Sequence, residues 1–139
     1  MNSIIRLDTR GRLVIPNEFR ESLKLQEGDE VLISLDKKME QITITPIYGK
    51  TSNIIKMEIE FGDTPGCLAK IAKKIASMKV DLIMTESKSS QRGKKARWNI
   101  VADISKSHYK LNQIKQNLMQ SGFIDSMSVS KITRDSLHR

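Results

Sequence analysis

Five basic side chains crowd the opening of the chain: Arg6, Arg10, Arg12, Arg20 and Lys24. A guanidinium presents its N–H donors in a fixed fork that fits phosphate oxygens and guanine edges, so arginines gathered in one short stretch suit nucleic acid. A second chemically suggestive stretch is Glu60-Phe61-Gly62-Asp63-Thr64-Pro65-Gly66-Cys67-Leu68-Ala69-Lys70-Ile71. Pro65 and Gly66 make a turn of little bulk, which lets a small ligand approach the free N–H groups of a following helix, where a carboxylate is favoured. Catalysis has little support. His108 and His138 are the only histidines and neither has metal-ligand spacing with Cys67. No glycine-rich phosphate loop precedes a helix, and the carboxylates stand singly among lysines, with no pair in an apolar setting to tune an acid against a base. The expectation is a binding protein, not an enzyme, with no metal and no cofactor.

The elements that must position these residues can be read from periodicity. Ile4 to Leu7 and Arg12 to Ile15 form a predicted hairpin around Asp8-Thr9-Arg10-Gly11, with Gly11 permitting the reversal. Pro16 is expected to open a short helix over Asn17 to Leu23, with Phe19 and Leu23 on one face. Glu27-Gly28-Asp29 then releases the chain into alternating Val31, Ile33 and Leu35, and into Ile42 and Ile44 across a turn at Asp36 to Gln41. So few short elements bury little core, and an intertwined homodimer is the physical expectation.

Residues 48–54 read as a linker, since they lack a sustained period and contain Gly, Ser and Asn. After them the pattern is strand, helix, strand, strand, helix, strand. Ile55, Met57, Ile59 and Phe61 alternate. A helix over 66–79 places Leu68, Ile71, Ala72, Ile75 and Met78 on one stripe, with Lys70, Lys73 and Lys74 opposite. Val80, Leu82 and Met84 alternate, as do Ala96, Trp98, Ile100, Ala102 and Ile104. A second helix from about Ser107 carries Leu111, Ile114 and Leu118 and stops at Gly122, ahead of a last strand near Asp125 to Ile132. The predicted class is α+β, the second half having the βαββαβ, ferredoxin-like order, with domains at 1–47 and 55–133 and a tail at 134–139.

Charge is distributed unevenly. The chain carries a formal net charge of +8, which favours anionic partners. Residues 1–50 hold eight basic and eight acidic side chains, whereas 51–139 hold sixteen against eight. DNA binding by the first half therefore rests on polarity within it: the cations come early, and Glu27, Asp29, Glu30, Asp36 and Glu40 come later. No apolar run reaches bilayer length and no secretory leader is seen. One cysteine forms no internal disulfide, so a reducing cytoplasm is the expected compartment, with no membrane partner.

The spaced Gly-Arg, Ile-Pro, Arg, Leu-x-Leu and Gly-Asp elements between Ile4 and Ile44 resemble the AbrB, SpoVT and MazE family of swapped-hairpin DNA-binding domains. That resemblance implies an N-terminal swapped-hairpin β-barrel dimer on double-stranded DNA, with contacts from Arg6, Arg12 and Arg20. Arg10 is inferred from its place in the turn, and Lys24 from the same cationic cluster. Glu21 departs from the family, whose members often have a second arginine there. Asp63-Thr64-Pro65-Gly66-Cys67-Leu68 resembles the first strand–helix junction of ACT domains, regulatory modules that commonly bind amino acids. It implies an effector pocket of Asp63, Thr64, Pro65, Gly66 and Leu68, with Asp63 taking an ammonium, and Asp81 as a further lining residue. Lys79 stands where that family usually has glycine.

Other features have plainer roles. Trp98 and Cys67 are expected to pack in the core. The basic run Lys88, Arg92, Lys94, Lys95 and Arg97 around Gly93 is a solvated hairpin loop by default, with an auxiliary phosphate contact as the alternative. Three functions compete. The first is a cytoplasmic, nucleoid-associated transcription regulator sensing an amino acid, dimeric or tetrameric. The others are an antitoxin and a regulatory subunit of an amino-acid biosynthetic enzyme.

Overall fold

The structure, a computed structural model, describes residues 1–48, 53–91 and 93–134. The chain divides into two units, Met1–Gly49 and Lys50–Arg139. Arg92, residues 49–52 of the expected linker, and 135–139 of the expected tail, with His138, lie outside the described residues.

In the first unit the elements are α1 (Asn17–Ser22), β1 (Glu30–Asp36) and β2 (Gln41–Ile47). β1 and β2 form the antiparallel hairpin that the alternation predicts, with Glu30 opposite Ile47 and Asp36 opposite Gln41. The first predicted hairpin is corrected. Its turn closes, with the Gly11 N–H donating to the Asp8 carbonyl and the Asp8 N–H to the Arg12 carbonyl at 3.0 Å each, but residues 1–8 and 12–16 form no strand within the chain. Arms of four residues have too few ladder bonds to hold together without a further surface beneath them. Pro16 stands just ahead of the helix, as expected. It is the N-cap, with φ −54° and ψ 145°; the helix starts at Asn17, and the Phe19 and Arg20 N–H groups reach back to the Pro16 carbonyl.

Little of this unit is buried. Among its described residues only Leu32 and Ile47 are inside, while Ile4, Leu7, Leu13, Val14, Leu35 and Ile42 are exposed and Ile33 is 66% exposed. Tyr48 closes the unit by donating its hydroxyl to the Leu23 carbonyl at 2.8 Å.

The second unit runs β3 (Ile54–Gly62), α2 (Cys67–Ser77), β4 (Asp81–Gln91), β5 (Lys95–Asp103), α3 (Leu111–Gln120) and β6 (Ile124–Lys131). Its four strands are antiparallel in the order β4-β5-β3-β6, so β5 lies between β3 and β4 and the βαβ connection is split. Ile55, Met57, Ile59 and Phe61 of β3 and Ala96, Trp98, Ile100 and Ala102 of β5 bury one sheet face against Ile71 and Ile75 of α2 and Ile114 and Leu118 of α3. Trp98 is core, as the alternation requires, and so is Cys67, whose thiol lies 3.6 Å from the Phe123 carbonyl.

Several element details differ from the sequence expectation. Leu68 leaves the α2 stripe at 38% exposure, because Cys67, Ile71, Ile75 and Met78 complete the inward face at steps of four, four and three. Leu82 and Met84 do not share a face. A register shift between them sets Leu82 opposite Ala102 but Met84 opposite Val101, on the other side of the sheet. β3 takes Ile54, the last residue of the expected linker. α3 begins four residues late, because the Lys110 N–H is held at 2.8 Å by Gln113 Oε1 at the first turn, a cap that fixes the start there.

Candidate functional site

In the first unit the Asp8-to-Arg12 turn is organised by a carboxylate. Asp8 Oδ1 accepts the Arg10 N–H at 2.8 Å and the Arg12 N–H at 2.9 Å, and Oδ2 accepts Arg12 Nε at 2.6 Å. These donors, the Arg12 backbone N–H first and its guanidinium second, hold the Asp8 carboxyl below the ordinary carboxylate range. Gly11 takes φ +72°, a conformation that side chains with a Cβ resist. The turn thus holds the backbones of Arg10 and Arg12 to one carboxylate. Only the Nε of Arg12 faces inward, which leaves its terminal N–H groups for an outside acceptor.

The other three cations are placed differently. Arg20 turns back along the chain, donating Nε to the Ile15 carbonyl at 3.0 Å, which ties α1 to the end of the second arm. Lys24 follows α1 in the left-handed conformation, φ +54°, with its N–H on the Glu21 carbonyl. Arg6 is exposed on the first arm. Arg6 and Arg10 carry no side-chain ion pair among the described residues.

The strand–helix turn of the second unit is built as a close junction. Thr64 N–H donates to the Gly62 carbonyl at 2.8 Å, Gly66 adopts φ +84° as the N-cap of α2, and nothing lies within 4 Å of where its Cβ would stand. Asp63 is not idle there. Its Oδ2 accepts Ser89 Oγ at 2.9 Å and the Gly93 N–H at 3.1 Å, and its own N–H donates to the Lys94 carbonyl, so it fastens the β4–β5 hairpin to the turn. Sequence reasoning missed this structural duty, since Ser89 and Gly93 lie 26 and 30 residues away. Thr64, Pro65, Gly66 and Leu68 are exposed around it.

Asp81 stands elsewhere. It is exposed at the start of β4 opposite Asp103, which in turn faces Ile54, whereas Asp63 follows Gly62. Eight steps of strand separate Ile54 from Gly62, on the order of 25–30 Å at roughly 3.3 Å per residue. One chain therefore does not bring Asp63 and Asp81 into a common pocket.

The hairpin cations are partly committed. Arg97 is directly opposite Glu60 and ion-paired with it, and Lys88 pairs with Glu86 at 2.8 Å. The Arg97 contact holds the Glu60 carboxyl low and the guanidinium high. This favours the solvated-face role for that part of the run. Among the described residues, no three His, Cys, Asp or Glu side chains gather as a metal would require, and no helix is long and apolar enough to cross a membrane.

Residues 4–51, about a third of the chain, match the family described as antidote-toxin recognition MazE, bacterial antitoxin. No curated protein matches the chain. A formyltetrahydrofolate deformylase from Pseudomonas putida KT2440 superposes on 60% of this chain and 29% of its own, at 7% identity and a TM-score of 0.45. The chain thus spans under a third of that protein. The C-terminal domain of the MgtC protein from Mycobacterium tuberculosis superposes on 62% of this chain and 94% of its own, at 8% identity and a TM-score of 0.46.

Proposed function

With its N-terminal segment matching a family of regulators and antitoxins rather than enzymes, we propose that the chain is a cytoplasmic, nucleoid-associated transcription regulator. It grips duplex DNA through residues 1–47 of a homodimer and senses a small amino acid through an ACT-like, ferredoxin-like domain at 55–133. The observation that carries this reading is the pairing, in one segment, of the family match with an arginine turn preset by Asp8 and a nearly coreless unit. Large apolar side chains, among them Ile4, Leu13, Val14, Ile33, Leu35 and Ile42, are left in water. Such exposure is what a second copy relieves on exchanging arms. Arg6, Arg10, Arg12 and Arg20, with Lys24, supply phosphate and base-edge donors, Arg20 through the terminal N–H groups beyond the Nε that holds the Ile15 carbonyl. Electrophoretic and anisotropy assays of the Arg6→Ala, Arg12→Ala, Arg20→Ala variant test the assignment, and unchanged DNA affinity with an intact fold refutes it.

The effector role is supported by the split βαβ order and by the exposed Thr64, Pro65, Gly66 and Leu68 of the turn. Because Asp63 and Asp81 lie at opposite sheet ends, an effector that uses both must bridge two chains, which could respace the attached DNA-binding units. Paired ACT-like domains would either reinforce one dimer or join two into a tetramer.

The matched family's description equally favours an antitoxin. That alternative predicts co-purification with a small toxic protein and neutralisation of it, and leaves the amino-acid screen empty.

A further inference from the structure

Charge in the second unit is sorted by layer. Residues 64–80, which hold α2, contain Lys70, Lys73, Lys74 and Lys79 and no carboxylate; residues 104–124, which hold α3, contain Lys106, Lys110 and Lys115 and none either. The carboxylates of the described unit, Glu58, Glu60, Asp63, Asp81, Glu86, Asp103 and Asp125, stand on the strands or at their ends. Four ion pairs among the described residues avoid the helices: three, Lys56–Glu58, Lys88–Glu86 and Arg97–Glu60, lie on the sheet and the fourth is in the Asp8 turn. The seven helix-layer lysines are exposed. Solvated helix surfaces ordinarily mix signs at i, i+4, which stabilises them. Here Lys70 and Lys74 stand one turn apart with like charge, a mildly destabilising arrangement that an anionic partner would offset.

We propose that the helix layer of the second unit is a phosphate-contacting surface for duplex DNA, additional to the arginine turn. The partner is identified by complementarity: a dense, regular row of negative charge suits several lysine ammoniums held on two short helices that offer no carboxylate to repel it. The side chains are lysines, point charges on flexible stems, and not the forked arginines that read base edges, so the contact positions the duplex without selecting sequence. An anionic lipid surface is less well matched. Among the described residues beside the patch, the exposed aromatic rings are Tyr109 and Phe123, the latter lying under Lys70 at 5.0 Å, and the large aliphatic side chains exposed on α2 and α3 are Leu68 and Met119, a scattered set and not the continuous apolar face that an interfacial helix buries in lipid. The proposal extends the DNA-binding reading of the chain. A second contact on the same tethered chain would raise affinity by effective concentration.

The test uses the full chain and duplexes of about 20 base pairs, roughly two helical turns, one of random sequence. Lys73→Gln, Lys74→Gln, Lys115→Gln removes three exposed cations that make no packing contact named above, with glutamine keeping helix propensity; the triple arginine version keeps the charge. Anisotropy titrations between about 50 and 200 mM salt should show the glutamine variant losing about 2–3 from the log–log salt slope, near 0.9 per phosphate contact. Its affinity should fall about tenfold or more on every sequence, while the arginine version binds as the parent does. The Arg6→Ala, Arg12→Ala, Arg20→Ala variant should retain weak, salt-sensitive binding that the glutamine substitutions then abolish. If that variant binds like the parent while the glutamine variant fails, the arginine-turn reading falls and the helix-layer contact stands. An unchanged slope and affinity in the glutamine variant overturns the proposal. So does binding to phosphatidylserine vesicles that the substitutions abolish while DNA binding persists.

Discussion

Asp8 and Arg12 are joined three ways: the Arg12 N–H and Nε each donate to the Asp8 carboxylate, at 2.9 and 2.6 Å, and the Arg12 carbonyl accepts the Asp8 N–H. A carboxylate therefore sets the conformation of the turn that carries two candidate DNA-contacting arginines. Both groups are exposed, so the pair shapes the turn more than it stabilises the fold.

The pH dependence of that turn follows from its direction of shift. Asp8 is depressed below 3.8 in the folded chain, so its contribution is present above the unfolded value and is lost as pH falls through the folded one. Carbon-detected NMR titration should place the Asp8 midpoint below 3.8. Arg12→Ala should move it only part of the way back, because the largest cause is the backbone N–H, which alanine keeps. A full return to 3.8 would mean that the turn itself had opened.

DNA affinity should fall by roughly 1–3 kcal/mol in Arg12→Ala if Arg12 reads a base edge. Asp8→Ala should also weaken binding, by freeing the turn, although it removes a negative charge. A gain in affinity for Asp8→Ala would show that simple charge, not turn geometry, governs the contact.

Dimerisation can be tested at Ile33, which a lone chain leaves in water. Substitution of a residue that stays exposed changes stability by within about 0.5 kcal/mol. Ile33→Lys should instead lower the melting temperature and yield monomers in analytical ultracentrifugation, since the lysine would enter a shared core. A dimer of unchanged stability would place Ile33 outside any interface.

The bridging geometry of the effector site gives a complementation experiment. Mixed dimers of Asp63→Ala with Asp81→Ala chains regain one intact site, whereas a chain carrying both changes, paired with an unaltered chain, has none. Calorimetry with the amino acid identified by thermal-shift screening should report half-stoichiometric binding only in the first mixture. A bound effector should move DNA affinity by roughly 5- to 150-fold, and DNA should move effector affinity by the same factor. Because Asp63 also holds Ser89 and the Gly93 N–H, the β4–β5 hairpin of the Asp63→Ala chain must be checked for order by hydrogen exchange.

Gly66 offers a test of the turn alone. At φ +84° with open space at its Cβ position, Gly66→Ala should cost about 1 kcal/mol from backbone conformation without any clash. A chemical denaturation curve reads this directly. A larger loss would mean that the turn packs more tightly than its surroundings indicate.

Local pattern alone determined much of this molecule. Period-two alternation located β3, β5 and the β1–β2 hairpin, and the spacing of Ile71, Ile75, Ile114 and Leu118 fixed the buried faces of α2 and α3, because those signals depend only on which residues must leave water. The arginine turn was likewise legible from glycine and charge. Tertiary structure decided what depends on distant partners. The register shift that parts Leu82 from Met84 is set by pairing with β5, and Asp63 is claimed by Ser89 and Gly93. The first arms form no ladder within one chain, because their apolar side chains have no core there to cover. The family resemblance implied that Asp63 and Asp81 line one site; within one chain the return of α2 along β3 before β4 begins puts them at opposite ends of the sheet.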